Sequence, residues 1–527
     1  MCSALQALAT WVVDHGGLIS PEVELRLERS GSTAFAKVAI PSETQLISCP
    51  LKLVIEYEKV REFWKLESPA DPVIAIRLFL CCQRLRGPAS FWDPYISILP
   101  DSFDTPLYFS DLELELLRGT NIYGEIGLRR EAWYQEWQNA VTLLPTNENK
   151  ELYTFELYLW ACTVLTSRSF PSKIVLPNSP LESYPVLIPL VDSLNHFPKT
   201  AITWNNESDK FTLISGKTIA PSQEIFNNYG PKGNEELLMG YGFCIPNNEA
   251  DMVTLRLAET HIDGPKQTLM AEYRQRNPRL IFHLTHVDPL PLLLIEYFRI
   301  QVANHRETSA LLASRDAGLR CALSALDKLS LALGAKLAAI KYEGIGADGE
   351  MGREMEIKAK SRRKIIDMYI STQVSILRKS LCETDVETNI TQLKQIGWID
   401  LEVALSYQQF KQDIEDAFGV SSATEIREYQ YEDQVLMLFV CFLKLTNNEP
   451  EWVERMSKHY RDEEDINEAE EEQYIALMEP MMDTNGEVFS SNQFTTGMVS
   501  WAAQVIDQES VNIKVGGKEI VAISDGK

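Results

Sequence analysis

The chain has 527 residues, with 50 Lys+Arg against 75 Asp+Glu and a formal charge of −25. Its 45% apolar and 24% charged residues are ordinary for a globular protein and exclude wholesale disorder, and the length predicts roughly two to four domains. The acidity excludes a general phosphate-binding surface, because duplex binding relies on Lys and Arg neutralising phosphates; it favours a basic protein as partner.

Residues 1–17 are briefly apolar but carry no basic stretch, which predicts an amphipathic helix and not a secretory signal. Residues 1 to about 60, and again about 185 to 245, hold short β-like runs broken by Gly, Pro and Asn. Residues 46–58 are rich in β-branched and apolar side chains. Between these β pieces, from about 60 to 180, the pattern turns helical. Residues 71–86 have Pro at the second position and apolar side chains on most faces, as a buried helix would, and 152–167 read alike. Residues 201–219 predict a hairpin: Ile202 and Trp204 alternate with polar residues, 205–209 supply turn chemistry, and Phe211, Leu213 and Ile214 resume the apolar pattern. Residues 224–229 predict a further short strand.

From about 255 onward β signals fade. Residues 310–340, 355–381, 401–418 and 429–445 repeat apolar positions at helical spacing and predict an all-helical second domain. Residues 462–472 hold eight acids in eleven and predict a solvated face, or an acidic cradle for a basic substrate. The longest apolar run, 435–443, is too short to span a bilayer. The expected layout is an α+β domain over 1–250 with a helical insert near 60–180, an all-helical domain over 255–505, and a weakly patterned tail over 506–527.

Nine cysteines include no CxxC, so free buried thiols in a reducing compartment are expected, with the protein in the cytosol or nucleus. The seven histidines show no HExxH spacing, so no catalytic metal is expected. Gly344, Gly346 and Gly349 match a dinucleotide fingerprint, but a helical pattern precedes them where a strand is required. Gly216-Lys217-Thr218 lacks the upstream glycine of a phosphate loop.

Two segments in the β region gather the chemistry. In the first, an apolar run ends at Asp192, Asn195 and His196 and is stopped by Pro198. In the second, Tyr229-Gly230 and Tyr241-Gly242-Phe243 flank a short helical stretch opened by Asn234, a residue suited to an N-cap. Upstream stands Ser167-Arg168-Ser169-Phe170. This ordered set resembles the SET-domain methyltransferases, in their Rubisco large-subunit methyltransferase-like branch, with a D-x-x-N-H turn, a Y-G, an N-x-E-L-L and a second Y-G-F. The resemblance covers nearly the whole chain and implies the helical insert and the helical C-terminal substrate-binding domain.

It also implies S-adenosylmethionine as cofactor and methylation of a side-chain nitrogen, lysine Nζ foremost, on a protein such as a ribosomal protein or translation factor. By resemblance, Ser30, Gly31, Ser32, Arg168, Asn195, His196, Tyr229 and Phe243 hold the cofactor: Arg168 its carboxylate, Phe243 its adenine. Tyr229 is the catalytic residue, beside the transferred methyl. Tyr241 walls the channel for the target side chain, and Asp192 either contacts substrate or caps its turn. The family's chain threads the Asn-His turn beneath a later segment. The glycine loop departs from the family: Thr33 stands where a second glycine is usual, and either its side chain crowds the cofactor or the loop adapts. That departure keeps open a silent scaffold that binds a protein through its helical domain; a relative in the branch keeps open histidine as the target. No nucleic acid, no membrane and a monomer are expected.

Overall fold

The computed structural model describes residues 3–28, 31–65, 70–207, 209–258, 262, 264–340, 353–384, 399–446, 450–460, 468–515 and 518–523. The contacts gather into two units, Met1–Met252 with Ala339–Gln373, and Val253–Ala338 with Val374–Lys527.

The first unit is built on short antiparallel strands: β1 (Leu18–Ile19), β2 (Val23–Glu28), β3 (Gly31–Ala36), β4 (Gln45–Pro50), β5 (Phe170–Pro171), β6 (Pro185–Val186), β7 (Ile202–Glu207) and β8 (Lys210–Ser215). One sheet has the order β1-β4-β8-β7, and β2-β3 and β5-β6 form separate pairs. The β7-β8 hairpin stands where alternation predicts it, with Asp209 at φ +58° in its turn, a conformation Asp tolerates better than most residues. The expected strand over 46–58 is a strand only to Pro50. A 3₁₀ turn (Leu51–Leu53) and a helix (Tyr57–Trp64) follow, and Leu53, Val54 and Ile55 are apolar because this connection is buried. The segment 224–229 is not a regular strand. It makes isolated bridges, Phe35 to Glu224 and His196 to Asn227, because its neighbours change along its length.

Between β4 and β8 lies the helical insert. The helix Pro72–Arg86 begins where Asp71 accepts from the Val73 and Ile74 amides at 2.8 and 3.1 Å, with Pro in the first turn, and stops at Gly87. Its central residues, Ala75 through Gln83, are all buried, which explains the lack of a polar face. It packs against the helices Asn121–Thr142 and Phe155–Arg168. The latter starts at a Thr154 cap and delivers Arg168 at its last turn, where a cation suits the helix carbonyl end.

In the second unit the helix Glu432–Leu445 is the centre of the core, with Val435 through Leu443 all buried among its neighbours. The apolar run 435–443 is thus a core helix, and among the described residues no helix is long and apolar enough to cross a membrane. The unit is helical in the main, but two small sheets stand against the all-helical reading. β9 (Met252–Arg256) pairs with β10 (Ile281–Thr285), and β11 (Ile399–Asp400), β12 (Ser510–Val515) and β13 (Lys518–Ile523) form a second small sheet in the order β11-β13-β12. The tail carries a period-two alternation, Val511, Ile513, Val515 against Ile520 and Ala522, that six-residue strands need and a helical reading overlooks. The helical pattern over 310–340 is broken between the helices His305–Leu312 and Leu319–Ala339. The glycines at 344, 346 and 349 and the acids at 462–465 lie outside the described residues; the helix Glu468–Thr484 carries the rest of that acidic stretch.

Candidate active site

The turn after residue 186 enters through Leu190 at φ +71°, an unusual conformation for a bulky residue that the buried surroundings enforce, and continues as a 3₁₀ turn, Val191–Ser193. From it the chain runs against the 224–229 segment. The Asn227 amide donates to the Asn195 carbonyl at 2.7 Å, the Phe197 amide to the Asn227 carbonyl at 3.1 Å, and the Tyr229 amide to His196 Nδ1 at 3.0 Å. The His196 and Tyr229 rings stack with centroids 4.9 Å apart, and Tyr229 stacks in turn on Tyr241 at 5.2 Å. Residues distant in sequence therefore form one aromatic column.

The Tyr229 hydroxyl donates to the Leu194 carbonyl at 2.8 Å, so its proton is committed and its oxygen remains an acceptor. Burial pushes its pKa up, with Arg168 opposing, and the phenol is neutral. His196 is buried, and burial lowers its pKa; its Nδ1 accepts from Tyr229, so the neutral ring carries its proton on Nε2.

Gly31 faces Arg168. The φ of Gly31, +121°, requires glycine, and a Cβ there would stand 2.6 Å from Arg168 Nη2, so the guanidinium would have to shift. Arg168 also donates to the Asp192 carbonyl at 3.2 Å and lies 3.7 Å from its carboxylate. Asp192 does not cap its turn. Its Oδ2 accepts from the Tyr95 hydroxyl at 2.6 Å, and its Oδ1, buried, has no protein partner. Burial raises the Asp192 pKa, while Arg168 and Tyr95 pull it down. Ser32 bonds Ser193 at 2.7 Å, tying the β3 edge to the turn.

Thr33 points elsewhere. Its neighbour Ser32 lines the cleft, and Thr33, on the other face of β3, donates to the Arg26 carbonyl at 3.5 Å. Thr33 is not among the residues that line the cleft. Asn234 is not the N-cap of its helix; Gly233 is. The Asn234 side chain instead binds the Ile245 backbone and Asp251, holding the 234–251 segment that carries Tyr241 and Phe243. Gly242, at φ +82°, allows the chain to pass the Asp104 backbone, where a Cβ would come to 2.8 Å.

Two cavities meet here. A larger one, of about 390 Å³, is lined by Trp204, Asn228, Lys232 and Tyr184 among others. A smaller one, of about 140 Å³, is lined by Ser32, Asn195, Phe243 and the loop of Pro100, Ser102, Phe103 and Asp104. Ser167, Arg168, Asp192, Tyr229 and Tyr241 line both. His196 lines neither and acts on the site through Tyr229. Asn195 donates its amide to Glu224 at 2.7 Å. Ser30 lies outside the described residues. Sequence reasoning passed over Tyr95, Trp204, Lys232 and the loop at 100–104. Lys232 lies inside the segment between the two Tyr-Gly pairs and was within reach of that motif; the loop carries no local signal.

The short-stranded β-fold, with two cavities that share Tyr229, is placed by comparison with known proteins. No family model matches the chain. Comparison with curated proteins finds the ribosomal lysine N-methyltransferase set10 of Schizosaccharomyces pombe, 31% identical, with 96% of this chain and 98% of that protein covered. The actin-histidine N-methyltransferase of Gallus gallus is 26% identical over 57% of this chain and 53% of its own. Among solved structures, Rubisco LSMT bound to sinefungin and monomethyllysine superposes with a TM-score of 0.60 at 21% identity, over 82% of this chain and all of that one. That likeness shows the fold. The chain belongs to the SET-domain protein methyltransferases of the Rubisco large-subunit methyltransferase-like branch.

Proposed function

We propose that this protein transfers a methyl group from S-adenosylmethionine to the Nζ of a lysine on a ribosomal protein. The observation that carries the reading is the common wall of the two cavities: cofactor from one side and side chain from the other meet at Arg168, Asp192, Tyr229 and Tyr241. The donor set fits the cofactor. Arg168, pinned between Gly31 and Asp192, presents a fork of donors to a carboxylate. Phe243 and Phe103 offer faces to adenine in the smaller cavity. The unpartnered Asp192 Oδ1 is free to accept a hydrogen bond, which in this reading comes from an N–H of the substrate's neutral amine.

When bound, the cofactor supplies a methyl on a sulfonium; the amine lone pair forms the N–C bond as the C–S bond breaks, its electrons staying on sulfur. What the protein adds is position and environment. Tyr229, its proton held by Leu194, accepts from the amine and from the polarised methyl CH groups, aligning lone pair and methyl. Tyr241, stacked on it, forms the opposite wall. The amine must arrive neutral, and burial disfavours its charged form. Its proton leaves to solvent.

The acidic chain, at −25, favours a basic ribosomal protein over nucleic acid; action as a monomer in the cytosol or nucleus is part of this proposal. Lysine is favoured over histidine by the breadth of the likeness, which spans the whole chain for the lysine enzyme and about half for the histidine one. A silent scaffold loses its support with Thr33 turned out of the cleft. Calorimetric titration with S-adenosylmethionine tests the cofactor half: the reading requires binding by the folded protein, and a folded sample that takes up none contradicts it.

A further inference from the structure

The charged side chains on the wall of the larger cavity are Arg168, Asp192 and Lys232. Arg168 and Asp192 offset each other at 3.7 Å. Lys232 has its counter-ion elsewhere. Its Nζ pairs with Glu236 one turn along the Asn234–Tyr241 helix; that carboxylate is not on the cavity wall, and its side chain is 56% exposed against 21% for Lys232. The ammonium also lies 5.6 Å from the centre of the Tyr241 ring, the ring that lines both cavities. Solvent screens Glu236 more than it screens Lys232, so the cavity feels a surplus positive charge.

We propose that Lys232 is a specificity-determining residue that favours the neutral form of the incoming amine. This rests on the lysine-methylation reading above. Among the described residues, no carboxylate, imidazole or other base stands on the cavity wall apart from Asp192, already bonded to Tyr95 and beside Arg168; the remaining titratable groups there, Tyr184, Tyr229 and Tyr241, are phenols. A fixed cation near the entering Nζ does part of a base's work: it destabilises the ammonium without touching the free amine, and the amine is the nucleophile. Lys232 itself keeps its proton, since Glu236 and Tyr241 outweigh the effect of its burial. An imidazole target is already neutral at physiological pH and draws little benefit, so the device discriminates by basicity.

The test is a pH profile of kcat at saturating S-adenosylmethionine, with ribosomal proteins from cells lacking this enzyme as the methyl acceptor. In Lys232→Met the rising limb should move to higher pH by about one unit, with activity recovering as the pH rises. Lys232→Arg should restore the wild-type limb, and Glu236→Gln, which strips the counter-ion, should move it to lower pH. Cofactor affinity by calorimetry should stay within about twofold in all three. An unmoved limb in Lys232→Met, or a loss of rate equal at every pH, overturns the proposal. Should Lys232→Met fail to fold, an unmoved limb in Glu236→Gln overturns it alike. A wild-type enzyme that labels no lysine in this assay instead overturns the methyl-transfer reading and is separately recognised.

Discussion

Tyr229 is held from three directions: its amide by His196, its hydroxyl by Leu194 and its ring by Tyr241. Tyr229→Phe removes only the oxygen. Its expected effect is a fall in kcat of a hundredfold or more with the cofactor dissociation constant changed by less than about threefold, measured by labelled-methyl transfer and calorimetry. Gly31→Ala should act oppositely. The added Cβ collides with Arg168 Nη2 and the φ of +121° is strained, so cofactor affinity should drop by tenfold or more before kcat is affected. Thr33→Gly, by contrast, should leave affinity within about twofold, because the Thr33 hydroxyl is spent on Arg26. The His196 ring links the site to pH. Its folded pKa lies below the ordinary value, so the unfolded chain takes up the proton first and the stability it provides is present above about pH 6.5 and lost as pH falls toward the folded pKa. The stability gap between wild type and His196→Gln, from urea titrations, should therefore narrow between about pH 7 and 5. Motif order singled out Arg168, Asn195, Tyr229 and Tyr241, four residues that line the smaller cavity. It did not reveal that His196 serves Tyr229 instead of the cleft, or that Tyr95 supports Asp192, because those relations depend on contacts across 33 and 97 residues.

At the level of elements, the clearest sequence signals were those reinforced by end chemistry. Asp71 with Pro72 and Thr154 mark helices that begin where expected, and the 202–215 hairpin follows its alternation. The segment 224–229 misled because extended backbone that passes from β3 to the 195–197 turn has strand composition without regular strand pairing. Asn234 misled because a good cap residue sits one position inside the helix, where its amide is needed by the loop that follows. That loop hangs on it. With Asn234 fully buried, Asn234→Ala leaves the Ile245 amide and Asp251 short of partners and should cost about 2–4 kcal/mol of stability, read as a lowered urea midpoint with unchanged slope. An unchanged midpoint would show that the loop is held by other means.

On the scale of the molecule, a shift from β texture to helical texture was readable because each half has its own period. The boundary was not, since residues 339–373 return to join the first unit, a step no local pattern announces. The charge of −25 carries a consequence for substrate capture: the KM for a basic ribosomal protein should rise several-fold between about 50 and 300 mM salt, while kcat stays level. A KM that does not respond to salt would argue that charge plays no part in recognition. The central claim concerns the cavity wall where Tyr229 stands. The most direct measurement is peptide mass spectrometry of ribosomal proteins incubated with the enzyme and S-adenosylmethionine carrying a deuterated methyl. The account predicts the heavy methyl on lysine with the wild-type chain and about a hundredfold slower labelling with Tyr229→Phe; a label on histidine, no label at all, or equal labelling by Tyr229→Phe would contradict it.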